Sequence, residues 1–139
     1  MTGQNDYNRQ LIEEFRANRS KSGGPFEGRP LLLLTTTGAK SGQRRTTPVM
    51  YLADGDRLLV FATKAGAPTN PAWYHNLLAH PEVTVEVGTQ TYEATATSLT
   101  GEERDRLYAK QASLYPQFGQ YQARATRKIP VIALERRKG

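Results

Sequence analysis

Residues 35–48 read TTTGAKSGQRRTTP, and apolar, β-rich runs stand on either side, at 31–34 and 49–52. That arrangement constrains the chain most: two strands joined by a loop rich in cations and glycine. Gly38 and Gly42 permit backbone conformations closed to other residues and let a ligand approach the main chain. Lys40, Arg44 and Arg45 crowd the same loop. Successive exposed N–H groups in such a turn form a concavity suited to phosphate or carboxylate. Lysine adds a point charge and arginine a fork, so the set suits a phosphoryl group. The same residues equally suit a long, basic, solvated hairpin. Arg44 reads as a solvated charge, because adjacent side chains on an extended segment diverge.

The rest of the chain supplies partners for these two strands. Residues 5–19 carry Tyr7, Leu11, Ile12 and Phe15 at helical spacing, with charges of both signs between them. This predicts an amphipathic helix that packs on the domain; the mixed polar face makes peripheral membrane association the lesser option. Residues 20–29, with three glycines and a proline, read as a linker. Domain organisation is therefore expected as helix and linker over 1–30, then one barrel domain over 31–139.

Strands are expected at 31–37, 48–53 and 57–63, the last two joined by a tight Asp54-Gly55-Asp56 turn. Asn70 as N-cap and Pro71 as first helical residue predict a helix to Ala79, ended by Pro81. Val83, Val85 and Val87 alternate with polar residues, and Gly88-Thr89 turns into a strand over 90–98. Thr100 and Glu103 form a capping-box pattern for a helix reaching Leu114. Residues 115–127 read as part loop, part short helix, and 129–134 as a final strand. The resulting class is α+β, mainly β. It is a single-domain closed or split β-barrel of about six mostly antiparallel strands with inserted helices.

Composition narrows the chemistry. At 139 residues and a net charge of +6, the chain suits one domain with an acidic partner. It has no cysteine, hence no disulfide or thiolate site, and no run of about 18 apolar residues. The N-terminal stretch has no signal-peptide h-region, and a cytoplasmic location is expected. His75 and His80 lack companions at ligand spacing, so no metal site is expected. Ser41 has no base at a motif spacing. Three polar, irregular stretches are candidates to meet at one barrel mouth: 40–48, 63–64 with 67–76, and 115–121. With no protein-only catalyst legible, a cofactor is expected to carry any redox step.

LTTTGAKSGQRRTTPVMY followed by FATKAGAPTNPAWYHNLLAHPEV resembles the deazaflavin-dependent nitroreductase family, and QFGQYQARATRKIPVIALE continues the likeness to about Leu134. The resemblance implies a split barrel that uses coenzyme F420, an 8-hydroxy-5-deazaflavin, to reduce a small-molecule acceptor such as a quinone, enone or nitro-aromatic. It implies that Lys40, Arg45 and Lys64 hold the coenzyme's phosphate and acidic tail. Ala39, Ser41, Thr46, Thr47, Pro48, Val49 and Met50 would run along the coenzyme. Phe61, Ala62 and Thr63 would lie beside its ring, under a helix start of Ala72, Trp73, Tyr74, His75 and Asn76. Met50, Tyr115, Phe118 and Tyr121 would face the acceptor. Some relatives carry tyrosine where Met50 and Phe118 stand, which bears on acceptor range. Thr63 and Tyr121 are candidate proton donors. Trp73 and Tyr74 equally suit ordinary helix-to-barrel packing. Two other classes stay open: a basic barrel that binds nucleic acid through phosphate contacts and exposed aromatics, and a barrel holding FMN or haem without turnover. Oligomeric state is not legible.

Overall fold

Six antiparallel strands close on themselves in the order β1-β2-β3-β6-β5-β4, in a computed structural model that describes residues 4–17 and 31–137. The strands are β1 Leu31–Thr37, β2 Arg44–Asp54, β3 Arg57–Phe61, β4 Glu82–Val87, β5 Gln90–Leu99 and β6 Val131–Arg136. Four helices accompany them: α1 Gln4–Ala17, α2 Ala72–Ala79, α3 Gly101–Leu114 and α4 Gln117–Arg124. The expected linker over 20–29 and the end of the first helix at 18–19 lie outside the described residues.

Alternation along the strands decides the two cores. Leu32 and Leu34, Val60 and Ala62, Val83 and Val85, and Ile132 and Leu134 point inward together. Trp73 and Leu77 of α2 join this interior cluster, so α2 plugs one end of the barrel. The intervening residues Leu59, Phe61, Val131 and Ala133 point outward, where Leu107 and Tyr108 of α3 and Phe118 of α4 cover them. A strand buried on both faces needs apolar residues at every position, which is why β3 and β6 read as continuous apolar runs. α1 lies against β2; Phe15 is buried, and Arg16 makes a bidentate pair with Glu86 of β4 at 2.7 and 3.0 Å. No helix among the described residues is long and apolar enough to cross a membrane.

Several boundaries depart from expectation for local reasons. β2 begins at Arg44, not near Pro48, because its first residues pair in register with Thr35, Thr36 and Thr37. The Thr35 and Thr46 hydroxyls meet across the strands at 2.7 Å. β3 stops at Phe61 rather than at Thr63, since the Ala62 N–H turns to Pro130 O (3.1 Å) and the Thr63 N–H back to Phe61 O (2.9 Å). Asn70 does not cap α2; Pro71 occupies that place, and the Asn70 Oδ1 accepts from Arg127 Nη1 at 2.6 Å. The Thr100 side chain makes no cap bond, and Glu103 accepts from Arg57 at 2.8 Å instead of reaching back to it. In both helices a distant arginine outcompetes the local backbone.

Candidate active site

β2 changes partner midway. Residues 44–50 pair with β1, whereas only 51–54 pair with β3, so the two strands part beyond the Tyr51–Val60 pair. A cavity of about 540 Å³ opens at the parting, within the range of small-molecule sites. Thr47, Pro48, Val49 and Met50 of β2 form one side, and Phe61, Thr63 and Lys64 the other. Pro71, Ala72 and Trp73 close one end, and Gln117, Phe118 and Tyr121 of α4 the opposite wall. The three candidate stretches thus converge.

The aromatic wall is rigid. Phe61, Phe118 and Trp73 line the cavity yet are only 6%, 5% and 8% exposed, so each is largely packed. Phe118 sits edge-on to Phe61 and Tyr121, with centroids 5.7 and 5.5 Å apart. The Tyr108 hydroxyl donates to Phe118 O at 2.6 Å and fixes the start of α4. Burial pushes that phenol up to about 12, so it stays a donor throughout the neutral range.

The basic hairpin differs from the expected anion concavity of backbone amides. Gly38 N–H donates to Gln43 O at 2.7 Å, and Gly42 N–H to Gly38 O at 3.0 Å. Gln43 N–H donates to Ser41 Oγ at 3.1 Å, and Ala39 N–H to Asn76 Oδ1 at 3.0 Å. Four of the amides that could have cradled an anion are therefore committed inside the protein. Gly38 keeps the turn close: a Cβ there would crowd Ser41 Oγ, which accepts from Gln43 N–H, and stand 3.3 Å from Gln43 O. The hairpin also offers a ligand the exposed side chains of Lys40 and Arg45.

Its two arginines part company. Arg44 lies on the outer face, where it donates to Thr37 Oγ1 at 3.1 Å and to Thr84 Oγ1 at 2.5 Å. Arg45, one residue on, shares the face of Thr47 and Val49, since side chains two apart on a strand lie on one side. Both Arg45 and Lys40 are exposed. Thr47 and Lys64 both line the cavity, Thr47 being the lining residue nearest the hairpin. Arg45 and the hairpin tip lie beyond Thr47 along β2.

Other expected site residues lie away from the cavity. Ala62 is fully buried in the barrel. Tyr74 packs on the interior cluster, its hydroxyl 3.3 Å from Ser98 Oγ. His75 is exposed with its ring against Tyr74, and Asn76 has its amide committed to Ala39 and, at 3.2 Å, to Thr36 Oγ1. Thr46 faces Thr35, Ala39 and Ser41 stand on the exposed hairpin tip, and Tyr115 packs in the outer cluster. Sequence reasoning missed Gln117 as a cavity residue; a lone polar position in an amphipathic segment carries no signal for it. Pro71 was legible only as a helix signal. No cluster of three metal-ligating side chains occurs among the described residues.

Known proteins share this fold. The profile of the F420H(2)-dependent quinone reductase family matches residues 7–136. An F420H(2)-dependent quinone reductase of Mycobacterium tuberculosis is 40% identical over 129 residues, which cover 88% of this chain and 85% of that protein. A solved F420-H2 dependent reductase is 40% identical and superposes with a TM-score of 0.70, covering 77% of this chain and 95% of its own. A further structure, described as a domain-swapped dimer, is 35% identical with a TM-score of 0.72, covering 96% of this chain and 100% of its own. The antiparallel barrel and these relatives agree: this chain belongs to the F420H(2)-dependent quinone reductase family, whose members are oxidoreductases that use coenzyme F420.

Proposed function

We propose that this chain reduces a quinone with coenzyme F420 bound in the cleft between β2 and β3, and that enones and nitro-aromatics fit the same acceptor site. The observation that carries the reading is the cleft's polarity along its length. Lys64 lines the cavity and the exposed Arg45 and Lys40 stand on the hairpin beyond Thr47, while Phe61, Trp73, Phe118 and Tyr121 line it with aromatic rings. A coenzyme with a flat ring and a phosphodiester-glutamate tail matches that gradient. Lys64 from the cleft, with Arg45 and Lys40 from the hairpin, would hold the anionic part by charge-assisted contacts. Thr47, Pro48, Val49 and Met50 would run alongside, and Phe61, Thr63, Ala72 and Trp73 would border the ring. Ala62 and Asn76 support this set from beneath, the first as barrel core and the second by tying the hairpin to α2.

When bound, the reduced deazaflavin supplies the hydride. The chain's own share is orientation, exclusion of water and delivery of a proton. One hydride and one proton together carry a quinone to its hydroquinone, so the chain has a single proton to deliver. Thr63 and Tyr121 both line the cavity and carry a hydroxyl suited to deliver that proton. Met50, Phe118 and Tyr121 would touch the acceptor, with Tyr115 bracing Phe118 at a centroid distance of 6.3 Å. Burial of Phe15 and the Arg16–Glu86 pair support α1 as a brace on the barrel rather than a membrane anchor.

The test is anaerobic turnover of purified protein with reduced coenzyme F420 and a water-soluble quinone, followed by the absorbance of the oxidised coenzyme. Turnover with the deazaflavin and none with reduced FMN or NADPH is expected. Tight FMN or haem binding without F420 turnover would overturn the reading.

A further inference from the structure

The connection from β3 to α2 carries Thr63 and Lys64 into the cleft, and its backbone is bent in an unusual way. Lys64 has φ +45°, alone among the described non-glycine residues in that half of conformational space, which L-residues avoid. Tight turns surround it: Gly66 N–H donates to Thr63 O at 2.9 Å and Ala67 N–H to Lys64 O at 3.0 Å. Gly66 lies so close to α4 that a Cβ would stand 2.8 Å from Tyr121 O.

One guanidinium gathers this connection from outside the cavity. Arg127 Nε donates to Ala67 O at 3.0 Å and Nη2 to Thr63 O at 2.9 Å. Its Nη1 donates to Ala62 O at 3.1 Å and to Asn70 Oδ1 at 2.6 Å. Arg127 is itself held: its carbonyl accepts from Gln122 Nε2 at 2.8 Å, and Gln122 Oε1 accepts from Arg104 Nη2 at 2.5 Å. All its partners here are neutral oxygens, and burial lowers its pKa. An arginine nonetheless stays charged in a protein.

We propose that Arg127 is a positioning residue for the coenzyme site. By bridging the carbonyls of Ala62, Thr63 and Ala67 it holds Lys64 in its left-handed bend, and so keeps Thr63 and Lys64 at the cleft, where the ammonium donates to Thr69 Oγ1 at 3.2 Å and is at hand for an anion. The inference rests on Lys64 being a ligand of the coenzyme's anionic part. Only a planar fork reaches acceptors spread over several residues at once; an ammonium keeps the charge but is a single point.

The experiment is a double-mutant cycle of Arg127→Lys with Lys64→Ala. It reads coenzyme F420 affinity by fluorescence titration and, in coenzyme-free protein, hydrogen exchange at the Gly66 and Ala67 amides. Arg127→Lys should speed both exchange rates and weaken binding by about 10-fold when Lys64 is present, and by less than about 2-fold in Lys64→Ala. Equal losses in both backgrounds, or wild-type affinity in Arg127→Lys, would overturn the proposal while leaving Lys64 a ligand. Wild-type affinity in Lys64→Ala alone would remove the ligand reading, and the proposal with it. If Arg127→Lys does not fold, Asn70→Ala replaces it in the same cycle. That variant removes one of the guanidinium's acceptors and should show the same coupling at about 3-fold.

Discussion

Arg44 and Arg45 are neighbours in sequence with opposite surroundings, and the difference yields a sharp expectation. Arg45→Ala and Lys40→Ala should each weaken coenzyme binding by roughly 10- to 150-fold, the equivalent of a lost charge-assisted bond of about 1.5–3 kcal/mol. Arg44→Ala should leave binding near wild type, because its guanidinium is occupied by Thr37 and Thr84. Fluorescence titration of the three variants checks both statements. Tyr108 gives a pH-dependent expectation. Its folded value near 12 stands above that of an unfolded tyrosine, about 10. Its stabilising effect is therefore complete below pH about 10 and fades as the pH rises through its folded value. Tyr108→Phe should lower stability by about 1 kcal/mol at neutral pH through the lost bond to Phe118 O. The gap between wild type and variant should narrow in alkaline denaturant melts.

At the scale of elements, α4 combines core and site. Phe118→Ala should cost about 3–5 kcal/mol of stability, as large-to-small changes in aromatic cores do, because Phe118 packs among four rings. Phe118→Tyr and Tyr121→Phe nearly conserve volume. They should shift the ratios of kcat/KM among a quinone, an enone and a nitro-aromatic while coenzyme affinity barely moves; level ratios in both would place the acceptor elsewhere. The elements themselves were largely legible, since alternation marks β4 and β5 and apolar runs mark β1, β3 and β6. Their ends were less so. Asn70 and Glu103 carry good local cap signals, yet Arg127 and Arg57 claim them from 57 and 46 residues away, beyond any sequence window. The hairpin's glycines signalled a tight turn, but not that its amides would bond to Gln43, Ser41 and Asn76. Gln117 left no trace because polar helix positions usually face solvent.

At the scale of the whole molecule, the net charge of +6 is general, whereas the cleft is particular. Any DNA or RNA binding should be weak, indifferent to sequence and steeply lost with added salt. Coenzyme binding should survive moderate salt better; a tight oligonucleotide complex at physiological salt without affinity for coenzyme F420 would reverse that ranking. Chain order made the β1–β2–β3 and β4–β5 hairpins legible, while the β1–β4, β3–β6 and β5–β6 pairings that close the barrel are long-range and had no local signature. Closure is also incomplete in one respect. Where β2 parts from β3, residues 44–50 have β1 on one side and no strand on the other, which makes them an exposed sheet edge inside a barrel. Such edges invite pairing with a second chain. Pro48 stands in the middle of this one, opposite Leu33, and its missing N–H interrupts the row of donors an incoming strand would need. Pro48→Val should therefore make the coenzyme-free protein self-associate, a rise that light scattering would detect and that saturating coenzyme F420 should suppress. The opening proposed to admit the coenzyme is thus also a free edge open to a second copy of the chain.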